Sequence, residues 1–153
     1  MGFPERAVEA CYKAMESGTV TGRHVQDVLR CKVVDVAPLA PFLRSDDSMV
    51  RTMAAKIIGE KGGPSDALLD AALHEEETQV LVEMLKQLGK HRDAVGSLAN
   101  LINSEDVLIR DVAVDMFRRA GKQEFLFPMI FDKDDKVVER VKRYLNEQEG
   151  QSR

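Results

Sequence analysis

The chain has no tryptophan, two tyrosines and two cysteines, and aromatic residues make up only 5% of its 153 positions. With alanine, leucine, valine and methionine dominating instead, the composition argues against an all-β fold and for helices packed through small aliphatic side chains. Two cysteines cannot build a disulfide framework. Cys11 and Cys31 also lack the CxxC spacing of a metal site, so both are expected as buried free thiols. No run approaches the ~18 uninterrupted apolar residues that a membrane span needs. The opening Met1-Gly2-Phe3-Pro4-Glu5-Arg6 has neither a basic region nor an apolar run, so no secretory signal is expected. Arg6 stands where a myristoylation signal carries Ser or Thr, which argues against a lipid anchor. These absences point to a cytoplasmic protein with no membrane partner. Net charge is −4 with a pI near 5.4, so nucleic acid could be held only by a local basic patch.

What the chain does have is a repeat. Acidic pairs recur at Asp46-Asp47, Glu76-Glu77, Glu105-Asp106 and Asp134-Asp135, separated by 30, 29 and 29 residues. Three residues after the second acid of each pair stands a β-branched aliphatic: Val50, Val80, Ile109 and Val138. A period in this range with two helical stretches per unit is the mark of a solenoid, in which each unit buries its apolar face against its neighbours.

Superposing the units predicts first helices over Ala37–Arg44, Asp66–His74, Asp93–Asn103 and Gln123–Phe131. Their inward columns are Leu39/Leu69/Leu98/Phe127, Phe42/Ala72/Leu101/Ile130 and Leu43/Leu73/Ile102/Phe131, an i, i+3, i+4 stripe. Pro41 and Pro128 should kink or shorten two of these helices. Second helices are predicted over Ser48–Glu60, Thr78–Lys90, Val107–Ala120 and Lys136–Glu147, with a further column Ile58/Leu88/Phe117/Asn146 whose last member is polar, as a terminal cap should be. Gly59, Gly62, Gly63, Gly89 and Gly121 lie near second-helix ends, where a left-handed glycine closes a helix. Pro4–Glu16 and Gly22–Cys31 read as a degenerate capping hairpin. One domain over residues 1–150 is therefore expected. It divides into an N-terminal cap at 1–34, repeats at 35–63, 64–92 and 93–121, a C-terminal capping repeat at 122–148, and a frayed tail at 149–153.

The run from Leu43 to Gly59, with its leucine, acidic turn, Val50-Arg51, Ala54-Ala55 and Ile58-Gly59, resembles the short HEAT-like repeat of phycobilin lyase-type and related proteins. The third unit keeps Asp106, Ile109-Arg110, Ala113 and Gly121. The second has Leu81 where the arginine belongs, and the fourth has Glu139. The resemblance covers about residues 35–147 and implies an all-α fold: a right-handed α/α superhelix of about five helical hairpins, or ten helices.

Each charged pattern has a structural and a functional reading. The acidic pairs suit helix N-termini, where a carboxylate accepts free N–H groups and opposes the dipole. They lack the ligand spacing of a calcium loop. Arg51 and Arg110 occupy the position at which the resemblance implies a ladder rung that bonds acids of its own or an adjacent turn. At the opposite helix ends stand Arg30, Lys32, Lys61, Lys90, His91, Arg92, Arg118, Arg119 and Lys122, a basic edge that complements the dipoles or could track phosphates with salt-sensitive affinity. In such solenoids second helices usually line the concave face. The positions expected to look outward there are Thr52/Val82/Asp111/Arg140 and Lys56/Lys86/Asp115/Tyr144, a mixed set better suited to a protein partner than to a polyanion.

Enzymatic readings find little support. Some HEAT-like hydroxylases carry iron-binding His-Glu pairs near the starts of second helices. The matching positions here are Arg51-Thr52, Leu81-Val82, Arg110-Asp111 and Glu139-Arg140. His24, His74 and His91 stand far apart in the repeat layout. No catalytic residue, cofactor or metal is therefore expected. The function expected is a non-catalytic adaptor or scaffold, monomeric or weakly dimeric, binding a protein on its concave face. The alternatives are a phosphate or nucleic-acid binder using the basic edge, and a phycobilin lyase-like accessory protein.

Overall fold

A computed structural model describes residues 2–151, with side chains through Glu147. Among the described residues every regular element is helical: α1 (Phe3–Ser17), α2 (Gly22–Leu29), α3 (Ser48–Glu60), α4 (Ser65–His74), α5 (Thr78–Leu88), α6 (Val107–Arg119) and α7 (Asp135–Gln151). Four 3-10 segments lie between them at Ala37–Arg44, Val95–Asn103, Gln123–Phe125 and Phe127–Phe131. The helical tail runs past the expected end at 148, to Gln151; residues 152–153 of the expected frayed tail lie outside the described residues. The chain forms two compact units that meet between Gln87 and Leu88, inside α5, with no linker composition to announce the division.

In the N-terminal unit α1 packs on α2 and on the 37–44 segment, the 37–44 segment packs on α3 and α4, and α2 packs on α3. In the C-terminal unit α6 packs on the 95–103 segment and on α7, and α7 packs on the 127–131 segment. Three of the four first elements are 3-10 and not α-helical. Pro38 and Pro41 in one, and Pro128 in another, remove backbone donors and clash with a continuing α-helix. In α4 the proline stands before the helix, at Pro64, where it does no harm, and a run of alanine and leucine follows.

Acids set the starts of α3, α6 and α7. Asp47 Oδ1 accepts the Met49 N–H, Asp106 Oδ1 accepts the Leu108 N–H, and Asp134 Oδ1 accepts the Lys136 N–H, each at 2.9 Å. Two residues before each capping acid, a further side chain braces the turn. The Asp47 N–H donates to Ser45 Oγ at 3.1 Å, that of Asp106 to Ser104 Oγ at 3.2 Å, and that of Asp134 to Asp132 Oδ1 at 2.9 Å.

In the fourth unit the capping acid is thus the first of its pair, so the register moves back by one. Val137 is buried there, where the superposition predicts Val138, and it joins Val50, Val80 and Ile109. Asn146 likewise gives up its column to the half-buried Leu145. The first-element column is Leu39, Leu68, Leu98 and Leu126, in place of Leu69 and Phe127. A 3-10 segment turns every three residues, which puts Leu126 and Met129 inside and leaves Phe127 and Phe131 exposed. In α4 the inward set is Leu68, Ala71 and Ala72, and Leu73 is exposed.

Gly62, Gly63 and Gly121 take the positive φ expected of closing glycines. Gly59 does not: it lies buried within α3, and a Cβ there would overlap the Gln87 side chain of α5. The glycine lets two neighbouring second helices approach closely. Cys11 and Cys31 are buried free thiols, and burial pushes the Cys11 thiol up to about 11.

Two outcomes follow from this packing. Leu126→Ala should cost about 2–5 kcal/mol in urea unfolding, whereas Phe127→Ala, at a side chain 55% exposed, should cost less than about 1 kcal/mol. Equal costs would restore the register read from the sequence. Because the folded thiol of Cys11 titrates above the unfolded one, its contribution to stability is lost as pH rises from the ordinary thiol range toward 11. Iodoacetamide at mildly alkaline pH should therefore label Cys11 slowly until urea unfolds the chain. Equal rates in the two states would contradict its burial.

Candidate functional site

Arg51 and Arg110 each stand four residues past the capping acid, which turns the guanidinium back over the turn that starts its own helix. Arg51 Nη1 donates to the Ser45 carbonyl at 2.8 Å, while Nε reaches Glu75 at 2.7 Å and Nη2 reaches Glu77 at 2.9 Å. Arg110 repeats the arrangement in the other unit. Its Nη1 donates to the Ser104 carbonyl at 2.9 Å, and Nε and Nη2 form a fork onto the two oxygens of Asp132 at 2.9 and 3.2 Å. Each arginine thus ties its own acidic turn to the next one along the chain. The bond to Glu75 holds the Arg51 guanidinium above its usual pKa, against the opposing effect of burial. Arg110 and Asp132 are 7% and 5% exposed at their side chains, so the pair is nearly dry. Both arginines are structural rungs.

The residues predicted to face a partner divide between the units. In the N-terminal unit Thr52 and Lys56 line a groove of about 250 Å³ with Val25, Gln26, Met53 and Glu83. Lys56 and Lys86 are exposed, and among the described residues no carboxylate pairs with either. Val82 is 8% exposed, so it belongs to the core and not to a contact surface. In the C-terminal unit the predicted residues bind one another. Arg140 pairs with Asp111 at 2.7 Å and approaches Asp115 at 3.8 Å, and its Nε donates to the Tyr144 hydroxyl at 3.0 Å. Arg118 lies over the Tyr144 ring at 4.4 Å. Burial opposes the Arg140 charge, but the bonds to Asp111 and Tyr144 outweigh it and raise its pKa.

Several members of the basic edge are also committed. Lys61 Nζ donates to the Cys31 carbonyl, Arg119 pairs with Asp115 at 3.0 Å, and Arg118 reaches Glu147 at 3.5 Å. Lys90 and Arg92 are exposed, while His91 and Lys122 are half-buried. Among the described residues no group of three or more His, Cys, Asp and Glu could hold a metal ion. His24 accepts the Thr21 N–H through Nδ1 at 3.0 Å, a capping role at the start of α2.

Sequence reasoning missed Glu75, Glu83 and Asp132. The first and last had a readable signal, since Ser45 and Ser104 both stand six residues before the arginines and mark the same turn twice.

No protein-family model matches the chain, and no curated protein matches it. Solved structures do. The crystal structure of an engineered protein, a Northeast Structural Genomics Consortium target, aligns with a TM-score of 0.52 at 18% identity, covering 95% of this chain and 78% of that one. At that identity the likeness bears on the fold alone.

Removing one member of the dry pair leaves a buried charge behind. Arg110→Ala should lower the unfolding free energy by about 3–5 kcal/mol, and replacing Arg110 and Asp132 together with apolar residues of similar size should cost much less. Equal losses from the single and double changes, read by urea titration, would mean that the two side chains do not act as a unit.

Proposed function

We propose that this chain is a non-catalytic protein-interaction module, a HEAT-like right-handed superhelix that receives a protein partner on its second-helix face. The observation that carries this reading is the contrast between the two units. On α6 and α7 Asp111, Asp115, Arg119 and Arg140 neutralise one another, whereas among the described residues Lys56 of α3 and Lys86 of α5 meet no carboxylate in an ion pair, the first lying beside a groove that also offers Met53, Val25 and Glu83. Unspent cations beside apolar side chains fit a partner segment that carries acidic and apolar residues together. The lysines set orientation and on-rate, and the groove contributes desolvated area. The basic edge is the weaker place for a ligand, because Lys61, Arg118 and Arg119 direct their donors at this chain's own oxygens.

The test is affinity capture from a lysate of the source cells with the wild-type chain and with the Lys56→Glu, Lys86→Glu double variant. Both lysines are exposed, so the variant should keep the wild-type circular dichroism. The expected result is a partner held by the wild type and lost by the variant. Retention of every captured protein by the folded variant would remove the assignment.

A further inference from the structure

A second groove in the N-terminal unit shares no lining residue with the one beside Lys56. It is a groove of about 520 Å³ between α1 and the stretch that leads into the 37–44 segment. Its walls are apolar: Pro4, Val8 and Tyr12 from α1, and Val33, Val34 and Pro38 opposite. Val33 is 87% exposed, and Tyr12 is held in place by an edge-on contact with Phe42, ring centroids 5.0 Å apart. Every charged residue that lines it is acidic. Glu5 and Glu9 stand one turn apart on α1, and Asp35 stands on the other wall. Asp35 spends one oxygen on the Ala37 N–H, and Glu9 meets Lys13 at 3.0 Å in a pair exposed on both sides, where screening leaves little neutralisation.

We propose that this groove is a second binding site, one that takes a basic apolar peptide segment with its aliphatic or aromatic side chains between Val8, Tyr12 and Val33 and its Lys or Arg side chains at Glu5, Glu9 and Asp35. The volume suits a few large side chains. Carboxylates on both walls require cations on both sides of an apolar anchor, the arrangement a peptide supplies. The same acids repel phosphates, which excludes nucleic acid and anionic lipid from this surface. Neither Lys56 nor Lys86 lines it.

The probe is a fluorescein-labelled peptide of alternating Leu and Lys pairs, with a counterpart in which every Lys is Glu, followed by fluorescence anisotropy at low and high salt. Saturable binding of the basic peptide is expected, weakened by salt and absent for the acidic one. Val33→Asp should weaken it about tenfold or more by removing apolar contact, and Glu5→Gln with Glu9→Gln should weaken it about tenfold and flatten the salt dependence. All three positions are exposed, so these variants keep the fold. Val33→Asp separates the proposal from general attraction to an acidic protein, since it adds negative charge. Unchanged or tighter binding by Val33→Asp, or equal binding of the acidic peptide, would overturn the proposal. Loss of binding in the Lys56→Glu, Lys86→Glu variant would overturn it as well, by placing the peptide on the other face.

Discussion

A guanidinium that bonds at once to the carbonyl of its own turn and to an acid of the following one is the interaction on which the rest of this chain depends. The 3-10 segments that precede α3 and α6 have weak internal bonding and, in one case, two prolines, so they do not define their own positions. Arg51 and Arg110 do that for them, by linking the turn at Ser45 to Glu75 and the turn at Ser104 to Asp132. Burying such a pair costs desolvation, and only the forked geometry with its extra carbonyl bond offsets it. What the rungs supply is position: a helix start fixed against its neighbour. The arginine is missing at Leu81 and, in the corrected register, at Val138.

Much of this was legible because the repeat multiplies each signal. α3 begins and ends where the acidic turn and the glycines put it, and the first elements fall within a few residues of their expected spans. The fourth unit slipped by one because Asp134-Asp135 offers two capping acids and only geometry chooses between them. The burial of Phe127 was misjudged because a helical period of 3.6 was applied to a segment that turns every three residues. Gly59 was read as a helix stop, whereas its reason lies in Gln87 of another helix, a contact that no local pattern encodes. The candidate site was legible as a set of positions but not as a state of pairing. That Asp111, Asp115, Arg140 and Tyr144 satisfy one another depends on the distance between two helices, which sequence spacing does not contain.

That pairing shapes the functional reading. A face whose charges are met internally is a stabilising seam, and the proposed function therefore rests on the exposed charges outside it. In the N-terminal unit the two proposed surfaces are of opposite sign: Lys56 and Lys86 on α3 and α5, and the exposed Glu5, Glu9 and Asp35 around the apolar groove of α1. On the proposed reading, two such surfaces would discriminate partners by charge.

Arg110 lies in a nearly dry fork on Asp132, and Arg51 is held by the buried Glu75 as well as by the exposed Glu77, so both guanidinium groups should be locked in place. Nitrogen-15 NMR of the arginine Nε–H groups tests it directly. At neutral pH the Nε–H signals of Arg51 and Arg110 should be sharp, slow to exchange with water and insensitive to added salt, while that of the exposed Arg44, which pairs with Asp70, exchanges rapidly. Exchange of Arg51 and Arg110 as fast as that of Arg44 would contradict the account.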